Sequence, residues 1–331
     1  MELLERDMTL ADIDRPNGFG RLKARLVTPS GLSYRDFRRS LVPDFRRAKL
    51  DLALGYLYLA AVVAALAFAS GRVAPIAVVL AGAAAFGFGI AYNQLFLHAA
   101  AHYELDGDRA RNDRISNAFV GIISGQEIRT YRTNHFLHHN VHGTVDDPEN
   151  SYFNALTLGF IVRLLTGLHV VRIIVQRQRT ARGAKATGTG GTQIRQLLAA
   201  VVFQIVALAG MALLSPWVAL AWVAGIAIVF PFLAALRQLL EHRDSAASAD
   251  ANYFEVEHGP VNRIFSDSLF GRLFGAAGFS RHALHHWDSG IAYTNLPEFE
   301  AFLRQTMLAD HLESYRTTYR EAFCRLFRMS S

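Results

Sequence analysis

Uncharged apolar runs set the pattern of the chain between positions 52 and 236. Leu52 to Gly71 holds 20 residues without Asp, Glu, Lys or Arg. At about 1.5 Å per helical residue this length crosses a hydrocarbon core of about 30 Å. After a lone Arg72, a second uncharged run extends from Val73 to Tyr103, so the two predict a helical hairpin with a tight turn near Gly71 to Pro75. A third run, Leu197 to Leu236, is 40 residues long. That is too long for one crossing, and Ser215-Pro216 divides it into two helices. The pattern predicts an all-α integral membrane protein of one domain, with four transmembrane helices in two hairpins over about 52–71, 74–97, 197–214 and 217–236. Segments 1–50, 104–196 and 237–331 fall outside the spans and predict a helical cap.

Charge gives that topology a direction. Lys and Arg number 11 in residues 1–50, 12 in 104–196 and 10 in 237–331, and only Arg72 lies in a turn on the far side. Cationic segments stay cytoplasmic, so both termini and the cap are expected in the cytoplasm, the membrane being taken as a bacterial inner membrane. Residues 1–14 lack the basic-then-apolar order of a cleaved signal. Tyr152 to Val175 is apolar but interrupted by Arg163, His169 and Arg172, and reads as an interfacial helix, because buried cations are costly. Arg177 to Gln193 has no periodicity and reads as a loop. A composition of 51% apolar and 19% charged residues excludes a disordered chain. The net charge of +6 suits an anionic lipid surface, and no basic arm with interleaved aromatics points to nucleic acid. Cys324, the sole cysteine, excludes an internal disulfide, and no Cys-x-x-Cys pair exists to hold a structural zinc or do thiol redox work.

Any metal therefore rests on imidazole or carboxylate, and the 13 histidines are clustered. His98 and His102 stand four apart at the end of the second span, on one helical face. His135, His138 and His139 place three imidazoles at i, i+3 and i+4, and His282, His285 and His286 repeat that spacing. Any one cluster reads as an ordinary solvated or snorkelling face. Together they supply eight imidazoles from three segments, which suits iron, zinc or copper. Eight exceed the needs of one tetrahedral zinc and match two irons better. His242, just past the fourth span, joins the candidates. Gln238, one turn earlier, Glu241 and His142 are candidate outer partners, although Glu241 and Arg243 also read as a plain solvated pair. His169, His258 and His311 lack partners at useful spacing, and the single Glu255-x-x-His258 is half of a carboxylate di-iron motif that needs two.

These motifs, H-x-x-x-H, H-x-x-H-H and H-x-x-H-H in order, with Tyr131-Arg132 leading the second, resemble the membrane fatty acid desaturase and hydroxylase superfamily from about Leu52 to Pro297. The resemblance implies metal ligands at His98, His102, His135, His138, His139, His242, His282, His285 and His286, and a di-iron centre with O2 as co-substrate. Asp146-Asp147-Pro148 is also like the family, with Asp146 and Asp147 as outer partners, and a helix-capping turn explains it equally well. The three-residue spacer of the first motif fits desaturases, hydroxylases and carotenoid-modifying relatives alike. Trp287-Asp288-Ser-Gly after the third motif departs from lipid desaturases.

The implied reaction is O2-dependent desaturation of an acyl chain on a lipid or carrier-bound fatty acid. The enzyme alternative is a hydroxylase or ketolase of a lipid, alkane or carotenoid. No His-Pro-Gly-Gly haem motif is present. Electrons are thus expected from a separate donor, a ferredoxin or a b-type cytochrome with its reductase. A second alternative, a non-catalytic metal-binding membrane protein, is disfavoured because the centres of the spans carry no ionisable ligand.

Overall fold

The structure, a computed structural model, describes residues 13, 18–144, 146–149, 152, 154–166, 190–243 and 262–327. The chain forms two compact units. The described residues of the first come from Met1–Asp44, Asn134–Ala155 and Gln238–Phe327, and those of the second from Phe45–Thr133 and Leu156–Arg237.

Four helices are long and apolar enough to cross a membrane: Phe45–Ala69, Pro75–Ala101, Gly191–Leu214 and Pro216–His242. Three of them run well past the uncharged stretches that predict them. The helix Phe45–Ala69 begins seven residues before Leu52 because its charged first turns are satisfied locally, Arg47 by Asp51 at 2.7 Å and Lys49 by Asp106 at 2.6 Å. Pro216–His242 likewise continues through Arg237. The third helix takes in Gly190 to Gln193, which the sequence reads as loop. Gln193 is held there because its side chain donates to Gly125 O and accepts from Glu127 N. Residues 177–189 of that reading, and 167–175 of the apolar segment before it, lie outside the described residues; the helix described there is Leu158–Leu165, capped by Thr157 Oγ1.

Proline and glycine shape the spans. Pro75 and Pro216 each start a helix, where a missing N–H costs nothing. Gly71, with φ +80°, closes the turn between the first two. A Cβ at Gly82 would meet the Cβ of Ala221 and a terminal methyl of Leu66 at 2.7 Å, so the absence of a side chain there makes room for the side chains of the neighbouring helices. Leu54, Leu57, Phe68, Ile76, Val206 and Leu213 remain exposed, a surface that water does not tolerate and lipid does.

One segment outside the predicted spans also packs in this unit. Asn117–Gly121 is a π-helical turn followed by the short helix Ile122–Ser124, and Ile123 is buried with Phe86, Val218 and Trp222. Its carbonyls are satisfied from the spanning helices. Gln196 donates to Asn117 O, Tyr56 to Phe119 O, Gln94 to Val120 O and Gln204 to Ile123 O. Such backbone survives in an apolar setting only when side chains supply these bonds.

The first unit is built on aromatic packing. Phe19, Tyr34, Phe37, Trp287, Phe299 and Phe302 share one buried cluster. A short parallel pairing of Ile264–Phe265 with Arg316–Thr317 crosses it. Glu300, buried, binds Arg281 at 2.8 Å, Arg304 at 3.3 Å and Arg316. These contacts, with the bond from Ala283 N to Arg263 O, fix the start of the helix His282–Trp287.

Candidate metal centre

In the second unit, His98 and His102 lie at the end of the helix Pro75–Ala101, with ring centroids 5.2 Å apart. That end is tied down by side chains. Arg132 donates to Ala100 O and Ala101 O, and its guanidinium pairs with Asp113 at 2.5 Å. Asn112 Nδ2 donates to Ala100 O and its Oδ1 accepts from Leu105 N. The orphan carbonyls of the helix terminus are thereby satisfied, and the first histidine pair is held on a fixed backbone.

The first unit gathers eight imidazoles. His135, His138 and His139 come from the helix Ile128–Val141, His142 from the turn after it, His242 from the end of Pro216–His242, and His282, His285 and His286 from His282–Trp287. Ligand atoms of His138, His142 and His286 lie within 4.8 Å of one another, as do those of His242, His282 and His286. His286 belongs to both sets. His135, His139 and His285 form a further group on the same criterion.

The ring nitrogens are sorted by their partners. His138 Nδ1 lies 2.9 Å from both oxygens of Asp147, His135 Nδ1 is 3.3 Å from Glu149 Oε1, and His242 Nδ1 is 2.8 Å from Asn262 Oδ1. Each of these oxygens accepts, so each Nδ1 carries the proton and each Nε2 is left with a lone pair. The Nε2 atoms then converge: His135 to His139 at 3.0 Å, His139 to His285 at 3.1 Å, His242 to His282 at 2.9 Å and His282 to His286 at 3.2 Å. Two nitrogens bound at right angles to one ion, each about 2.1 Å from it, stand about 3.0 Å apart, whereas a tetrahedral ion separates them by about 3.4 Å. At either separation these imidazole donors suit a transition-metal ion.

Around these rings lies a polar shell. Asp147, fully buried, also accepts from Tyr152 OH at 2.7 Å and from Glu149 N at 2.8 Å. Gly143 N in turn donates to Tyr152 OH, and Arg243 to Tyr152 O. Gln238 Nε2 donates to the backbone carbonyl of Glu149 at 2.8 Å and to its carboxylate Oε2 at 3.3 Å, and through the latter acts on the carboxylate that holds His135. Burial would raise the Asp147 carboxyl, but His138 and His142 hold it far below the usual carboxylate range. Burial would likewise raise Glu149, and His138 and His135 bring it down to about 2. Burial pushes His135 and His142 below the ordinary imidazole range, and His285 and His286 well below it. His138 moves the other way: burial opposes its charge, and Glu149 with Asp147 outweighs burial. Neutral imidazoles at His135, His142, His285 and His286 beside ionised carboxylates are the protonation states that a cation site requires, and a cation would have to displace the charge that Asp147 and Glu149 favour on His138.

The outer partners divide. Asp147 and Gln238 contact the histidine network, directly and through Glu149. Asp146 is exposed, its N–H donating to Thr144 Oγ1. Glu241 and Arg243 are buried rather than a solvated pair, and Arg243 donates to Tyr152 O. His142 is buried among His138, His242 and His286, with ring centroids at 4.9, 4.6 and 4.7 Å. Among the described residues neither of its nitrogens makes a hydrogen bond, and its Nδ1 lies 3.6 Å from Asp147 Oδ2. No spacing in the sequence marks Asn262 or Tyr152, and for Glu149 the one signal is its place in Asp146-Asp147-Pro148-Glu149. His311 lies partly exposed, and His169, Glu255 and His258 lie outside the described residues.

No curated protein matches the chain. The family model for fatty acid desaturase matches residues 73–319, a stretch that includes all three histidine motifs. The match covers well over half of the 331 residues, and the chain belongs to the fatty acid desaturase family.

Proposed function

We propose that this protein is an O2-dependent di-iron oxidoreductase that desaturates the acyl chain of a lipid or carrier-bound fatty acid. The observation that carries the proposal is the convergence of Nε2 atoms whose Nδ1 partners are acceptors, Glu149 for His135 and Asn262 for His242, with His138, held by Asp147, grouped beside His142 and His286. Membership of the family and four apolar helices of spanning length support a lipid substrate. In this reading His138, His142, His242, His282 and His286 hold one iron. His135, His139 and His285 hold the other together with His98 and His102, a completion drawn from the family pattern.

Bound iron supplies O2 activation and the removal of hydrogen from an unactivated C–H bond. The chain's own residues do the rest. Asp147, Glu149 and Asn262 keep the Nδ1 protons in place and so hold each ring in its ligating tautomer. Gln238 and Tyr152 fix the two carboxylates, and the burial of the rings excludes water that would compete for the metal. Electrons enter from a separate donor, a ferredoxin or a b-type cytochrome with its reductase. In the same reading the termini and the centre are cytoplasmic, with the spans in two hairpins.

Mass spectrometry of total lipids from cells with and without the protein tests the reaction. Desaturation predicts products lighter by two hydrogens that vanish in the His138→Ala variant. A product heavier by one oxygen would replace the reading with hydroxylation, and unchanged lipids with iron-replete protein would refute both.

A further inference from the structure

The helix Leu269–Phe274 lies in the first unit, outside the histidine network. Its N-terminus is capped by Ser268 Oγ, which accepts from Gly271 N at 3.0 Å. Gly271 and Phe274 face the protein, and Phe274 packs edge-on to Tyr319 at 4.8 Å. The opposite face is apolar and open: Leu269 is 67% exposed, Phe270 57% and Leu273 40%. Arg272, on the same turn, is exposed and has no carboxylate partner among the described residues. Arg320, exposed beside Tyr319, is in the same position, and the Tyr319 ring contacts both Phe270 and Phe274.

We infer that this face is a second membrane contact of the chain, an interfacial anchor that inserts Leu269, Phe270 and Leu273 among the acyl chains of an anionic leaflet while Arg272 and Arg320 meet its phosphates. Leu and Phe on one side with arginine at the rim is the composition of a helix lying in the headgroup boundary. Charge complementarity selects the occupant, since unpaired cations beside an apolar patch favour anionic lipid over a neutral surface. Tethering makes the contact effective. The chain carries four helices of spanning length, so the bilayer is present at high local concentration, and a patch too small to bind vesicles by itself is held there. A soluble partner would gain no such advantage.

The contact bears on the candidate site. Phe265 stacks on Tyr319 at 3.7 Å, and the strand that carries Phe265 follows Arg263, whose carbonyl receives Ala283 N in the helix of the third motif. Phe279 stacks on His282 at 4.8 Å. Lipid engagement at Phe270 therefore rests on the segment that seats His282.

The test uses the full chain in nanodiscs, in a Cys324→Ser background, with an environment-sensitive fluorophore on Leu269→Cys, on Leu273→Cys or on Asp310→Cys as an exposed control. In nanodiscs containing phosphatidylglycerol, labels at 269 and 273 are expected to be quenched by lipid carrying a nitroxide at the fifth acyl carbon. They are expected to be shielded from aqueous iodide at least threefold relative to position 310. Replacing phosphatidylglycerol by phosphatidylcholine, or adding Arg272→Gln, is expected to reduce that shielding. Iodide quenching at 269 and 273 equal to that at 310 overturns the proposal. Labels reached by neither quencher also overturn it, because another protein or a second copy then covers the face. Shielding that ignores both headgroup and Arg272 overturns the anionic part.

Discussion

His138 Nδ1 sits 2.9 Å from each oxygen of Asp147, and Asp147 is fully buried. A buried carboxylate is stable only when its lone pairs are occupied, and here His138, Tyr152 and the Glu149 N–H occupy them. The pair fixes one ring and makes its Nε2 a stronger donor. Asp147→Asn keeps the shape and removes the charge. It is expected to lower metal affinity by roughly 10- to 100-fold, read as iron retained against a graded chelator series. Retention equal to the parent protein would remove Asp147 from the account.

The two groups of imidazoles are separable. His138→Ala removes a ring from the set that contains His142 and His286, and His285→Ala one from the set that contains His135 and His139. Each variant is expected to insert normally, to bind about half the iron of the parent and to show no oxidation, since both irons act together. Elemental analysis beside a lipid assay checks this, and normal turnover in either variant would refute the ligand assignment.

Acidification of the metal-free protein has a defined sign. His135, His142, His285 and His286 have native pKa values below the unfolded value of about 6.5, so below that pH the unfolded chain gains protons that the native rings refuse. Stability is lost as pH falls from about 6.5 through those lowered values. His138, raised, contributes in the opposite sense and loses its share as pH rises through its native value, but it is one ring against four. Asp147 and Glu149 extend the loss below about pH 4. The thermal midpoint of the metal-free protein in nanodiscs is expected to fall steadily from pH 7 to pH 5. A rise over that range would contradict the assigned states.

Glu300 carries three arginines, and Arg281 stands next to His282. Glu300→Gln leaves Arg281, among the described residues, with Asp267 as its one carboxylate partner, at 2.9 Å on an exposed side chain. A cost of roughly 1–3 kcal/mol is expected from a partly buried pair, seen as a lower thermal midpoint. Iron content should fall less than in His138→Ala, because no ligand is removed.

Gln204 bridges two elements, donating to Ile123 O and accepting from Trp222 Nε1, both at 2.8 Å. Gln204→Leu strands both groups in apolar surroundings. The expected loss is about 1–3 kcal/mol, measured by thermal shift in detergent. An unchanged midpoint would mean that water reaches Ile123 O.

The spanning helices and the histidine groups were legible because both rest on local spacing: an unbroken apolar run marks hydrocarbon length, and i, i+3, i+4 marks one helical face. Helix ends were not, because Arg47 and Lys49 look like a boundary until their partners Asp51 and Asp106 are seen. The acceptors behind the rings were harder still. Asn262 reaches His242 from 20 positions away and Glu149 reaches His135 from 14, separations that no periodicity encodes. Burial of Glu241 and Arg243 was hidden for the same reason, as was the packing of Asn117–Gly121, whose backbone is satisfied by glutamines and a tyrosine on distant helices.

Metal stoichiometry decides the central claim. Anaerobic reconstitution of the purified protein, followed by elemental analysis and X-ray absorption at the iron edge, is predicted to give about two irons per chain in a nitrogen-rich shell. One iron or fewer, or zinc retained in preference to iron under the same conditions, would contradict it.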